Sequence, residues 1–239
     1  WRDKELNVII PMAGAGSRFV KAGYTFPKPL IEVRGKPMIQ VVVDNLNIEA
    51  NYIYVVQKAH REKYNLDTLL KLITPDCQIV EINEMTEGAA CTVLLCFDKI
   101  DKNLPLIVKD CDQIMNWSKD NFLEYISRKE NDGVLITVPT NNPGFSYVEL
   151  SDDMSIVTRT KEKEVVSSFG NTGCYYFKKS SEFEYYANAM IKKNIRVKNE
   201  FYVSQIYNEY ILDNKKIIHY PIVEILSINT PEELNQLKE

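Results

Sequence analysis

An apolar run, Asn7-Val-Ile-Ile10, passes directly into Pro11-Met-Ala-Gly-Ala-Gly-Ser-Arg-Phe19, and Pro27-Lys-Pro-Leu30 follows shortly after. The run reads as a buried strand. A loop of small residues at a strand's end lets backbone N–H groups approach a phosphate closely. Arg18 and Lys28 add two cations to the same loop. A strand, a glycine loop, an Arg and a Lys within about two dozen residues look like a nucleoside-triphosphate site rather than an ordinary turn.

The 239 residues can bury one substantial core, as one large domain or two small ones. A hydrophobic share of 45% and a charged share of 26% are ordinary for a soluble globular protein. The net charge of −4 argues against a broad nucleic-acid footprint, so any anion site must be a local basic pocket on an acidic protein. No apolar run reaches the roughly 18 residues that a membrane helix needs. No signal peptide is visible either, and no membrane insertion is predicted. The five cysteines (Cys77, Cys91, Cys96, Cys111, Cys174) are odd in number and include no C-x-x-C pair. They argue against a disulfide framework or a thiolate zinc site and for a reducing, cytoplasmic compartment. With only His60 and His219, a histidine-rich metal site is excluded and a Ser-His-Asp triad has little material. The chain opens on Trp1 rather than methionine, which fits a processed or excised segment of a longer protein.

The first half alternates strand candidates (7–12, 52–57, 78–82, 104–109) with helix candidates (37–47, 60–73, 88–97). This alternation predicts a parallel sheet with helices on both faces, where ligands bind at the strands' carboxyl ends. The second half reads as short strands (133–139, 147–150, 156–160, 173–177) separated by turn signals, followed by a helix over 180–193. Thr230-Pro-Glu-Glu233 is a capping box that opens a short terminal helix. There is no repeat, no low-complexity tract and no linker. The prediction is one domain over 1–239, with a nucleotide-binding half to about 130 and a mixed-sheet acceptor half from 131.

Two commoner phosphate motifs fail against the glycine loop. A dinucleotide fingerprint needs a third glycine where Phe19 stands, and an acid some 20 residues on that is not in place. Around Gly35-Lys36-Pro37, proline replaces the Ser/Thr of a P-loop and Leu30 its leading glycine.

The full pattern instead resembles the sugar nucleotidyltransferases. Their signature, G-x-G-[ST]-R-[FML] followed by P-K-[PAQ]-L, stands here as Gly14-Ala-Gly-Ser-Arg-Phe19 and Pro27-Lys-Pro-Leu30, with Gly35-Lys-Pro-Met38 opening the next helix. The resemblance is strong over 7–46, recognisable to about 115 and patchier beyond. It looks closest to bacterial-type capsule and cell-surface nucleotidyltransferases, a branch that includes cytidylyltransferases acting on phosphorylated non-sugar acceptors. It implies a Rossmann-like mixed sheet, predominantly parallel and flanked by helices. It also implies Mg²⁺-dependent transfer of a nucleoside monophosphate from a triphosphate to a phosphorylated small molecule, with pyrophosphate leaving. Positioning and charge neutralisation carry such chemistry, without a protein nucleophile.

By resemblance, Ala13, Gly14, Ala15, Gly16 and Ser17 cradle the nucleotide. Arg18 holds the β- and γ-phosphates and Lys28 the α-phosphate, as catalytic residues. Glu87 and Gly88, in Thr86-Glu-Gly-Ala-Ala90, lie where the family contacts the base, although a plain helix start explains the same residues. Asp110-Cys111-Asp112 ends an apolar strand, and its carboxylates suit Mg²⁺. The family's ligand aligns with Asp112, with Asp110 as a second candidate. A second family aspartate is replaced by Ser227 and Asn229. On the acceptor side, Glu162 and Lys163 resemble a family pair, and Asn171 with Gly173 a pocket-lining strand. Asn199, Glu200 and Tyr202 begin a polar and aromatic cluster that continues through Tyr207-Asn208-Glu209. Two other classes stay open. D-x-D also serves glycosyltransferases that use nucleotide sugars, and a non-catalytic regulatory domain would keep the same pocket. A homo-oligomer is compatible with aromatics at helical spacing such as Phe183 and Tyr186. The base and the acceptor stay open.

Overall fold

The computed structural model of the chain describes residues 5–237; Trp1 lies outside them. The strands are β1 (Asn7–Pro11), β2 (Glu32–Val33), β3 (Lys36–Pro37), β4 (Asn51–Gln57), β5 (Gln78–Ile82), β6 (Leu106–Lys109), β7 (Gln113–Asn116), β8 (Gly133–Pro139), β9 (Ser146–Leu150), β10 (Val157–Glu162), β11 (Phe169–Phe177), β12 (Ile217–Pro221) and β13 (Glu224–Ser227). The helices are α1 (Ser17–Lys21), α2 (Met38–Leu46), α3 (Lys58–Tyr64), α4 (Leu66–Ile73), α5 (Ala89–Leu94), α6 (Lys119–Arg128), α7 (Ser180–Lys192), α8 (Val203–Leu212) and α9 (Pro231–Gln236).

One nine-stranded sheet runs through both halves. Its backbone order is β10-β9-β11-β6-β1-β4-β5, with β8 paired to β11 and β12. The strands β6, β1, β4 and β5 are mutually parallel. Beyond β6 the sheet turns antiparallel through β11. Residues alternate between faces along each strand. In β1, Ile9 joins the core beneath α5, α7 and α8, while Val8 and Ile10 join the core beneath α2, α4 and α6. Both faces are covered over the central strands, which is why β1, β4 and β6 read as apolar runs rather than alternating ones, whereas the edge strand β5 is partly exposed.

The elements differ from expectation in instructive places. The helix expected over 60–73 is two helices, because Asn65 adopts a left-handed conformation (φ 50°) between α3 and α4. Asparagine tolerates that region better than most residues. Pro37 is not in the first turn of α2; it precedes Met38 and pairs with Glu32 in the β2–β3 ladder. The strand expected at 173 begins at Phe169 and passes through a break in register between Asn171 and Tyr175, with Gly173 at φ 62°. Helices α6 and α8 and strands β7, β12 and β13 were not foreseen.

Helix α8 corrects the reading of Tyr207-Asn208-Glu209 as acceptor-side residues. Tyr207 is fully buried and its hydroxyl donates to the Tyr176 carbonyl at 2.9 Å and the Val134 carbonyl at 3.3 Å. Asn208 exchanges bonds with the backbone of Thr160 on the edge strand β10, and Glu209 pairs with Lys193. These residues lock a helix to the sheet. Tyr207→Phe is expected to lower the unfolding free energy by about 1 kcal/mol and Tyr207→Ala by about 3–5 kcal/mol, read from denaturant midpoints. Equal losses for the two variants would show that the hydroxyl, not ring packing, dominates.

Candidate functional site

The glycine loop leaves β1 at the carboxyl edge of the parallel strands. Met12 and Ala13 stay buried, while Gly14, Ala15 and Ser17 are exposed. Gln57, at the end of β4, holds the loop by donating from Nε2 to the Ala13 carbonyl at 2.8 Å. The two glycines differ. Gly16 caps α1 in the left-handed region (φ 58°), and a Cβ there would lie 3.3 Å from the Lys28 Cβ. Gly14 has open space around it. Gly16 therefore sets the close packing of the loop against the segment that carries Lys28. That segment is a single 3₁₀ turn, Lys28–Leu30, with Pro27 and Pro29 fixing the backbone on either side of the lysine. A small apolar cluster of Phe19, Ile31, Val33, Met38, Ile228 and Leu234 joins this region to the C-terminal segment.

Lys28 Nζ donates to Asp112 Oδ2 and lies 3.3 Å from Asn229 Oδ1. Both ion-pair side chains are nearly buried, at 15% and 14% exposure. Asn229 is set by its surroundings: its Nδ2 donates to Ser227 Oγ at 2.6 Å, and its backbone N–H donates to Glu233 Oε2 at 2.6 Å. Glu233 also closes the capping box with Thr230 at the head of α9. Ile228 N–H donates to the Asp112 carbonyl at 2.8 Å, continuing the β7–β13 ladder. The exposed Arg18 directs Nη1 toward the Asn229 carbonyl at 3.5 Å. Asp110 sits beside this group. Burial, and then the Asp112 charge, push its carboxyl well above the usual range. Among the described residues no three His, Cys, Asp or Glu side chains cluster as a ready metal cage. The Asp112 Oδ1 atom is nevertheless buried without a hydrogen-bond partner. Two desolvated carboxylates, one with an idle oxygen, fit a hard divalent cation. Cys111 lies between them, its thiol pushed up to about 12 by burial.

Two cavities meet here. The first, about 310 Å³, is lined by Gly14, Gly16, Ser17, Arg18, Lys28 and the Asp110–Asp112 residues, among others. The second, about 630 Å³, is lined by Glu162, Lys163, Asn171, Gly173, Tyr202 and neighbours. Arg18, Asp110 and Asn229 line both. Ala13 and Ala15 line neither. In the second cavity, Ser204 Oγ donates to Glu162 Oε2 at 2.8 Å, and burial raises the Glu162 carboxyl. Lys163 has a left-handed backbone (φ 57°); its ammonium donates to the Tyr202 hydroxyl and lies 4.5 Å from that ring's centre. Asn171 Oδ1 accepts from the Gly173 N–H at 3.1 Å, which leaves Nδ2 buried and unpartnered. Gln113 lines the same cavity, and its Oε1 is buried without a partner. The sequence reading missed Gln113, whose only signal was its place directly after Asp112. Gly173 is obligatory: a Cβ would meet Asp110 Oδ2 at 2.4 Å and Gln113 Oε1 at 2.7 Å.

Four further expected residues, Asn199, Glu200, Glu87 and Gly88, also line neither cavity and meet other partners. Asn199 and Glu200 form a tight turn bridged to Val197 and do not line the second cavity; Lys198 and Tyr202 do. Glu87 lines neither cavity, and its carboxylate pairs with Arg196 at 2.9 Å. Gly88 packs against the backbone of Phe201.

The contrast between the two glycines is testable without substrate. Gly16→Ala should cost about 1–2 kcal/mol from its left-handed backbone, plus displacement of Lys28, whereas Gly14→Ala should leave the melting temperature nearly unchanged. A larger loss for Gly14→Ala would contradict the assignment of Gly16 as the packing residue.

Comparison with known proteins agrees with this geometry. The family model described as nucleotidyl transferase matches residues 7–220. Among curated relatives, the chain is 26% identical over 182 residues to the bifunctional protein GlmU of Methanococcus maripaludis, covering 73% of this chain and 41% of that protein. It is 27% identical over 175 residues to GlmU of Methanocaldococcus jannaschii, covering 73% and 40%. The chain thus spans about two fifths of the length of these relatives. In fold it is similar to a nucleoside-diphosphate-sugar pyrophosphorylase of Vibrio cholerae, with a TM-score of 0.85 at 22% identity over 96% of this chain and 98% of that one. It is also similar to the inositol-1-phosphate CTP transferase of T. maritima, with a TM-score of 0.75 at 13% identity over 100% and 98%. With the match extending from β1 to β12, the chain belongs to the nucleotidyl transferase family of enzymes.

Proposed function

We propose that the chain transfers a nucleoside monophosphate from a triphosphate to a hydroxylated, phosphorylated small molecule. The observation that carries this reading is the meeting of two cavities at Arg18, Asp110 and Asn229. The first has the glycine loop and two cations suited to a triphosphate. The second has a cation, Lys163, with polar groups around it. A phosphate oxygen of the acceptor attacks the α-phosphorus from the second cavity. The bond from the α-phosphorus to the oxygen bridging it to the β-phosphate breaks, and pyrophosphate leaves on the side of Arg18. No proton transfer is needed.

The chain's own residues position and neutralise. Lys28, held between two prolines, places a point charge at the α-phosphate, and Arg18 offers a planar fork to the leaving phosphates. Asp110 and Asp112 would hold a divalent cation, Mg²⁺ by their hard oxygen donors, which would neutralise phosphate charge during transfer. In the second cavity the free Asn171 Nδ2 donor and the free Gln113 Oε1 acceptor match a hydroxyl, which accepts and donates at once. That pairing favours an acceptor bearing hydroxyls, a sugar or polyol phosphate, over one presenting only an alkylated amine. The branch of cell-surface precursor enzymes suggested by the sequence is consistent with such an acceptor.

Pyrophosphate release measured over five triphosphates against sugar and polyol phosphates tests the reading. Lys28→Ala is expected to lower kcat about 100-fold or more with a smaller change in triphosphate KM, and Arg18→Ala to raise that KM about tenfold. Asp112→Asn should abolish the response to added Mg²⁺. Undiminished turnover in Lys28→Ala would remove the proposed chemistry.

A further inference from the structure

Strand β4 outruns β1. In their parallel pairing Pro11, the last residue of β1, lies opposite Val55, so Val56 and Gln57 extend past the point where the glycine loop leaves the sheet. The loop's first step is tied to the same strand, because Met12 N–H donates to the Val55 carbonyl at 3.0 Å. Gln57 then reaches sideways. Its Nε2 donates to the Ala13 carbonyl at 2.8 Å and approaches the Gly14 carbonyl at 3.4 Å. Among the described residues neither carbonyl accepts from any other donor.

A trans peptide carries its carbonyl and its N–H on opposite sides. Holding the Ala13 carbonyl therefore turns the Gly14 N–H away from Gln57, and holding the Gly14 carbonyl does the same for the Ala15 N–H. The two sides of the loop face different spaces. Gly14 lines the first cavity with Gly16, Ser17 and Arg18. Gln57 lines none of it and packs behind the loop, in a crevice with Pro27, Pro29 and Leu30. Neither N–H donates to an acceptor among the described residues. Packing does little to fix this stretch, since Gly14 is exposed and a Cβ there would meet no atom within 4 Å. A glycine with that freedom needs a bond to hold its peptides in one orientation.

We infer that Gln57 is a positioning residue for the triphosphate: it holds the two peptides that flank Gly14 with their N–H groups turned into the first cavity, where they meet phosphate oxygens. Gln57 touches no substrate itself. Arg18 and Lys28 supply charge, and the loop amides add directed hydrogen bonds that form only when the peptides face the cavity. A carbonyl oxygen turned the same way would repel the phosphate. This inference rests on the nucleotidyl-transfer reading above.

Two variants test it. Gln57→Met keeps the arm's length and removes the donor, and Gln57→Glu keeps the shape but sets a carboxylate against both carbonyls. Calorimetry is run with CTP, UTP, GTP, ATP, dTTP and inorganic tripolyphosphate, each with Mg²⁺. The triphosphate that binds the wild type should bind Gln57→Met about tenfold more weakly, and Gln57→Glu at least as weakly. Tripolyphosphate, which has neither base nor sugar, should lose affinity by a similar factor. With any phosphorylated acceptor that turns over, triphosphate KM should rise about tenfold in Gln57→Met while acceptor KM stays within about twofold. Without ligand, Gln57→Met should melt within about 4 °C of the wild type. Equal triphosphate affinity in the wild type and both variants, a loss confined to the nucleoside triphosphates, or an equal rise in both KM values would overturn the positioning role. Failure of every triphosphate to bind the wild type would instead overturn the nucleotidyl-transfer reading itself.

Discussion

The contact between Lys28 Nζ and the Asp112 carboxylate joins distant parts of the chain at one point. The lysine comes from the turn after the glycine loop, the aspartate from the end of β6, and their common neighbour Asn229 from the strand-to-helix turn before α9. An ion pair this secluded is costly to desolvate and tolerates no missing partner. That explains why its supports are so specific. Two prolines fix the lysine's backbone, the Ile228 N–H fixes the Asp112 carbonyl, and the Glu233 carboxylate fixes the Asn229 backbone. A ligand that separates the pair must supply replacements for both charges, and a triphosphate with a divalent cation supplies one of each sign.

Asn229 changes the electrostatics of this group. A carboxylate in its place would add a third negative charge beside Asp110 and Asp112, where Asp110 is already hard to ionise. The amide instead accepts from Lys28 and donates to Ser227 without adding charge. Its side chain keeps Lys28 near Asp112 while leaving one Asp112 oxygen idle. A site with fewer fixed charges depends more heavily on the charges its substrates bring.

Much of this was legible in the sequence, because it is local. The strand before the glycine loop, the capping box at Thr230 and the apolar run ending in Asp110-Cys111-Asp112 are each written in consecutive residues. The family signature fixed attention on Arg18 and Lys28 through spacing alone. What escaped depends on tertiary contact. Asn65 breaks a helix whose apolar pattern continues across it. Tyr207 and Glu209 looked functional because polar and aromatic residues alternate there, yet helix α8 buries both. Glu87 lies where a base contact was expected, and its partner Arg196 is 109 residues away. Gln113 was invisible because its place beside the cavity comes from packing against Gly173, 60 positions further along the chain.

That bulge also explains how the two cavities come to share one wall. A regular β11 would align Asn171 and Tyr175 in continuous register with β8, and the strand would run past the end of β6 without a kink. The left-handed Gly173 interrupts the register and removes the side chain that would otherwise fill the space beside Asp110. Asp110 and Gln113 move into that space, and the Asp110 N–H closes on the Gly173 carbonyl at 2.8 Å. Asp110 thereby becomes one of the three residues, with Arg18 and Asn229, that both cavities share. Any side chain at position 173 would collide with the Asp110 carboxylate and the Gln113 amide oxygen. The demand for glycine comes from both sides of the wall at once: a strand that must bend, and a carboxylate that must fit beneath the bend.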